Sequence, residues 1–213
     1  MPRQNRVTPF GDLVATPDRG TLMGNRGHLH DAEGRIKRAW QLKRWIACVL
    51  AFKGRWRQVM TPGRYTELFF LDEATALAAG HRPCAECQRQ RFNAFRTAWR
   101  SAHPAAPLPT AVEIDCQLHA ERVGPDRSKR QFDAPLAELP DGVFVRLVGW
   151  GDGAYLVWKG GLLAWSPGGY TTRIDRPEKA EVAVLTPAST VATIRAGYAP
   201  EIHPSAVALA RET

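Results

Sequence analysis

The chain has 213 residues and a formal charge of +8, from 29 Lys and Arg against 21 Asp and Glu, with 44% hydrophobic residues, 23% charged residues and seven Trp. That length buries a core without disulfide staples as one large domain or two small ones, and the composition excludes a disordered, a collagen-like and a disulfide-dense chain. No stretch approaches the roughly 18 apolar residues of a membrane helix, and the start MPRQNRVTPFGD lacks the apolar middle of a signal peptide, so the expected location is the cytoplasm and no membrane partner is expected.

Residues 1 to 34 are punctuated by Pro2, Pro9, Gly11, Pro17, Gly20, Gly24, Gly27 and Gly34 and read as loop. From Arg44 to Phe52, Ile46, Cys48, Leu50 and Phe52 alternate with Trp45, Ala47, Val49 and Ala51. A period of two followed by Lys53-Gly54 predicts a strand and a hairpin, with RQVM as the return strand, a short helix being the alternative. Tyr65 to Leu71 is aromatic and extended; Asp72 can cap a helix that Gly80 closes. Arg82-Pro83 forces an extended step, because the residue before proline avoids the helical region, and a second helix is expected from near Cys84. Along it Phe92, Phe95 and Trp99 form an apolar stripe, with Arg89, Arg96 and Arg100 on another face.

HPAAPLPT, residues 103 to 110, reads as a linker, which sets a division between residues 1–104 and 105–213. Beyond it come VFVRLV, AYLVW, LLAW, TTRI and EVAVL, separated by LPDG, GDG, KGG, SPGG and RPEK, and one short helix from Ser189 to Ala196. Short strands with Gly/Pro turns predict a small antiparallel β-barrel or sandwich. The fold class is therefore α+β: a lobe of hairpins and two short helices, then a β-rich lobe.

The charge is local. Residues 1 to 59 hold 12 Lys and Arg against 4 Asp and Glu, while residues 60 to 213 hold 17 of each. Arg35, Lys37, Arg38, Lys43, Arg44, Lys53, Arg55 and Arg57 alternate with Trp40, Trp45 and Trp56. Basic side chains neutralise phosphates and exposed Trp stacks on unpaired bases, so DNA or RNA is the expected partner, with Arg89 and Arg96 extending the surface. The plainer reading makes the Trp residues core and the charges a solvated face.

The four cysteines, Cys48, Cys84, Cys87 and Cys116, are too few and too irregular for a secreted framework. Cys84-Ala85-Glu86-Cys87 places two thiols at one helix start, the geometry of half a tetrahedral zinc site; redox exchange and a pair of inert thiols are the alternatives. His119 and Glu121, in IDCQLHAERVG, are candidate general base and carboxylate for an enzyme acting on nucleic acid or a small anion. A surface helix explains them equally. A protein-interaction module with a structural zinc is a further alternative. There is no Walker-type loop, no GxGxxG and no GxSxG, so nucleotide hydrolysis, dinucleotide oxidoreduction and α/β-hydrolase chemistry have no support.

Phe69 to Cys87, FFLDEATALAAGHRPCAEC, resembles the second half of the Ada-type zinc-binding domain: an aromatic strand, an Ala-rich helix, then a Gly-aromatic-Arg-Pro-Cys-x-x-Cys turn, here with His81 at the aromatic position. The resemblance covers under a tenth of the chain. It implies zinc at Cys84 and Cys87, and it implies an Ada-like lobe over residues 1–104. The family's first ligand pair, just before the aromatic strand, is absent: Arg55 to Tyr65 contains neither Cys nor His. The remaining ligands are then expected from upstream, with Cys48 and His28 as the expected pair and His30 as a substitute; Cys116, beyond the linker, is the other substitute. Ada-type repair domains use one zinc thiolate to accept a methyl group from a phosphotriester, and by chain order only Cys48 stands in that position; other members keep the zinc without transfer chemistry.

Overall fold

The computed structural model describes residues 1–56, 58–104, 107–147, 149, 151–177 and 179–209. Its N-terminal sheet contains β1 (Gln4–Val7), β2 (Leu13–Ala15), β3 (Leu22–Asn25), β4 (Ile46–Val49), β5 (Leu68–Phe70) and β6 (Arg82–Pro83), in the order β2-β1-β5-β3-β4-β6. Pairing is antiparallel except for β1 with β5 and β4 with β6. The first 34 residues are thus not loop; they supply three of the strands. Their glycines permit close approach: a Cβ on Gly24 would stand 2.1 Å from the Ile46 carbonyl oxygen of the neighbouring strand. The expected return strand at RQVM is not formed among the described residues, because β4 is already paired by β3 on one side and β6 on the other.

Helix α1 (Glu73–Ala78) follows β5 and is buried on every side. Asp72 caps it, its Oδ1 accepting the Thr75 N–H at 2.8 Å. Its alanines leave room for neighbours: Leu77, Ala74 and Ala76 each enter a different one of the three core clusters. The carboxylates at its start tie down the chain's end. Asp72 accepts from Tyr170 Oη and His203 N, and Glu73 from Tyr198 Oη, Glu201 N and Arg91. The second helix, α2 (Arg89–Ala102), begins later than expected, since Ala85 to Gln88 form a turn. Phe92, Phe95 and Trp99 are buried as the stripe predicts.

Helix α3 (Ala111–Arg122) is started by a capping box between Thr110 and Glu113. Then come β7 (Phe132–Pro135), β8 (Phe144–Leu147), β9 (Tyr155–Trp158), β10 (Gly161–Ser166), β11 (Gly169–Asp175) and β12 (Glu181–Val184), and the helices α4 (Ala188–Arg195) and α5 (Ser205–Leu209). The strands form one open antiparallel sheet, β11-β10-β9-β8-β12-β7, rather than the small barrel or sandwich expected. Its two faces are covered differently. Val145, Leu147, Val157, Leu162, Val182 and Val184 pack with α2, α3 and α4. Phe144, Leu156, Leu163 and Tyr170 pack with α1 and α5. The inner strands β8, β9 and β12 are mostly buried on both faces, which is why they read as apolar runs. The core lined by α2 therefore draws residues from both sides of the 104/105 division. Among the described residues no helix is long and apolar enough to cross a membrane.

Candidate metal centre

The parallel pairing of β4 with β6 sets Ile46 beside Arg82 and Ala47 beside Pro83, so Cys48 and Cys84 follow side by side. The Ala47 carbonyl fixes this junction, accepting the Cys84 N–H and the Gln88 Nε2, each at 2.8 Å. Arg82 is buried and makes a two-pronged pair with Asp115 of α3, at 2.9 and 2.8 Å, while also donating to the Pro83 carbonyl. The turn from Cys84 to Cys87 then folds the second thiol back. The sulfurs of Cys48, Cys84 and Cys87 all lie within 4.8 Å of one another. Tetrahedral zinc with bonds of 2.3 Å sets sulfurs roughly 3.8 Å apart, so the cluster matches three corners of such a site. Cys48 and Cys84 are buried, Cys87 is half-buried, and all three are free thiols.

Electrostatics favour a cation here. The Cys84 thiol is pulled down to about 5 by hydrogen bonds from the Cys48 thiol, from the Cys87 and Glu86 N–H groups and from the Cys87 thiol, which together outweigh its burial. Cys48, as the donor, is pushed up strongly, and burial pushes Cys87 up. Cys84 is thus the sulfur of the three whose thiolate form is favoured, by the N–H groups of its own turn and by its neighbouring thiols. Cys48, Cys84 and Cys87 could hold a metal ion, and a dication bound there would displace the remaining thiol protons.

The other ligands expected from sequence stand elsewhere. β3 runs antiparallel to β4, with Asn25 opposite Ile46 and Met23 opposite Cys48, so the chain beyond Asn25 leaves the sheet at the end away from Cys48. His28 is accordingly outside the cluster, packed edge-on against His30 at 5.1 Å. His30 is buried, its Nδ1 2.6 Å from Thr66 Oγ1. Cys116 is exposed on α3 and also outside.

Of the basic residues, Arg38, Lys43, Arg44, Lys53, Arg55 and Arg89 are exposed; Arg96 is half-buried and donates to the Pro109 carbonyl at 2.7 Å. Arg57 lies outside the described residues. Arg55 pairs with Glu86, inside the Cys84–Cys87 turn, at 2.8 Å, which ties the Lys53–Trp56 segment to the cluster. Trp56 is 87% exposed, Trp40 is half-buried and Trp45 is core. Only the first of these three presents an open ring face. Arg35 and Lys37 are drawn toward Asp31, and Arg35 also toward Glu33.

His119 stacks edge-on to Trp40 at 4.6 Å, and burial, Arg122 and Lys43 push its pKa down. Glu121 accepts from the Ser189 N–H, the Ser189 hydroxyl and Gln117, joining α3 to α4. Asp115, one turn before His119, faces Arg82 instead. Sequence reasoning missed the Arg82–Asp115 brace and the Gln88 bridge, whose partners are 33 and 41 residues away.

No protein-family model, curated protein or solved structure matches the chain.

Proposed function

We propose that this protein holds a structural zinc ion on Cys48, Cys84 and Cys87 and binds single-stranded DNA or RNA on the surface beside it. The observation that carries this reading is the Arg55–Glu86 pair, which fastens an exposed Trp flanked by Lys53 and Arg55 to the Cys84–Cys87 turn. The zinc would fix the turn, and the turn would fix the basic segment, so that Trp56 stacks on an unpaired base while the cations meet phosphates. The Ada-type resemblance of Phe69 to Cys87 supports zinc as the metal and an Ada-like lobe over residues 1–104. The excess charge of residues 1 to 59 supports a polyanionic partner.

Fluorescence anisotropy with labelled single-stranded DNA and RNA across a salt series tests the binding. Contact with three to five phosphates gives a log–log salt slope of about −2 to −3.5. Binding that does not change with salt, or that survives Lys53→Glu with Arg55→Glu unaltered, would refute the assignment of this surface.

A further inference from the structure

Away from the thiol cluster, the protein buries positive charge without matching it. Arg26 and Arg122 are each 1% exposed, and their guanidinium carbons lie 4.1 and 4.0 Å from the Trp45 ring centre. Arg26 Nε donates to Nε2 of the fully buried His81 at 3.3 Å. Lys129 adds an ammonium on the Ala78 carbonyl at the end of α1. Among the described residues no carboxylate forms an ion pair with Arg26, Arg122 or Lys129. Asp12 and Asp115 act on this group only through space.

Two comparisons within the chain show that this is unusual. Arg82, buried to the same degree, is given the two-pronged carboxylate of Asp115, and Arg91 is given Glu73. The carbonyls of Gly11, Ala39, Gly80, Lys43 and Ala78 accept N–H groups from Arg26, Arg122 and Lys129, but a carbonyl supplies a dipole and no net charge. Even so, Arg26 Nη2, Arg122 Nε and His81 Nδ1 remain buried with no hydrogen-bond partner. With Nε2 accepting from Arg26, the unpartnered His81 nitrogen is its N–H, so all three orphans are donors. Burial lowers Arg26 and Arg122 to about 9 and Lys129 to about 7, with Arg26 further depressing Arg122, and both arginines depressing Lys129. Gly80 is part of the construction: at φ +88 it leaves the space Arg122 occupies, and a Cβ there would stand 2.4 Å from Arg122 Cδ.

Buried charges in proteins are paired, and guanidinium forks match tetrahedral oxyanions. We propose that the group formed by Arg26, Arg122, Lys129 and His81 around Trp45 is a binding site for a small oxyanion of the phosphate class. The anion supplies the negative charge that the chain withholds here and acceptors for the orphaned donors. Lys129, half-buried, is the least enclosed of the four.

The test is thermal unfolding of the full chain in sodium phosphate against sodium chloride at equal ionic strength, with isothermal titration of inorganic phosphate and, in a second arm, phenyl phosphate. Phosphate at about a hundred times its dissociation constant is expected to raise the melting temperature by roughly 5–10 °C, saturably. Lys129→Met is expected to weaken the affinity at least about tenfold, the effect of one charge-assisted contact. Tighter binding of the free anion than of the monoester assigns an enclosed ion, and the reverse assigns a phosphomonoester terminus; either supports the site. An equal response to phosphate and chloride, or an unchanged affinity in Lys129→Met, would overturn it.

Discussion

Replacing Asp115 by Ala removes the carboxylate that holds Arg82, and the two side chains are only 7% and 3% exposed. Water cannot take the place of Asp115 there, so the guanidinium keeps one bond to the Pro83 carbonyl and otherwise faces the Phe92 ring, 5.0 Å away. Breaking a buried pair from one side costs about 3–5 kcal/mol. For a chain of this length that is a fall in melting temperature of roughly 6–20 °C. Removing both partners should cost far less. Burial already pushes the Asp115 carboxyl up against the pull of Arg82, so desolvation absorbs much of what the pair gains. Arg82→Met with Asp115→Leu keeps the packing on Phe92 and is expected to recover at least half of the single-variant loss. Circular dichroism melts of the three proteins suffice. A single-variant loss below about 1 kcal/mol, or a double variant worse than the single one, would refute the claim that this brace is buried and mutually dependent.

Three further outcomes are expected from the surroundings of Trp56, His81 and Glu121. Trp56→Ala should weaken single-strand binding about 5- to 150-fold, the worth of one stacked base, while its melting temperature stays at the wild-type value because the ring is 87% exposed; a change in both would make Trp56 structural. Burial, with Arg26, Arg122 and Lys129 nearby, holds His81 well below its ordinary range, so the unfolded chain takes up a proton below about pH 6.5 that the folded chain does not. Stability from this group is full above that pH and falls by up to about 1.4 kcal/mol per pH unit beneath it; in urea titrations at pH 7 and 5.5, His81→Gln should show the shallower loss, and equal slopes would refute the assignment. Glu121→Ala should cost about 1–3 kcal/mol by orphaning the Ser189 N–H, read as a lowered urea midpoint, and no change would place that bond outside the stabilising set.

The parts of the fold legible in the sequence are those with local signals. Asp72 and Gly80 bracket α1 by capping and left-handed backbone, and Arg82-Pro83 gives β6 through the restriction proline imposes. The alternation around Cys48 gives β4. β1, β2 and β3 are three or four residues long, too short for a period to show; β1 and β2 form a local hairpin, but β1 and β3 are also held by the distant β5, and β3 by β4. The sequence of the second sheet suits a barrel, a sandwich or an open sheet alike, because strands buried on both faces lose the in-out contrast that distinguishes one architecture from another. Thr110-x-x-Glu113 is a capping-box signature and could have marked α3 outright. In the site, the C-x-x-C pair is visible from spacing and Cys48 from its strand. His28 stands outside the cluster because chain order says nothing of strand direction: an antiparallel β3 delivers it to the far end of β4. The cations around Trp45 were invisible as a group, since Arg26, Trp45, His81, Arg122 and Lys129 span the chain and meet only in the fold.

The most direct test of the account is the metal content of the purified protein by inductively coupled plasma mass spectrometry, together with that of four variants. One zinc per chain is predicted for the wild type, for Cys116→Ser and for His28→Gln, with loss of stoichiometric zinc in Cys48→Ser and Cys84→Ser. A wild-type protein without stoichiometric metal, or a Cys48→Ser protein that keeps its zinc, would contradict the three-thiol centre.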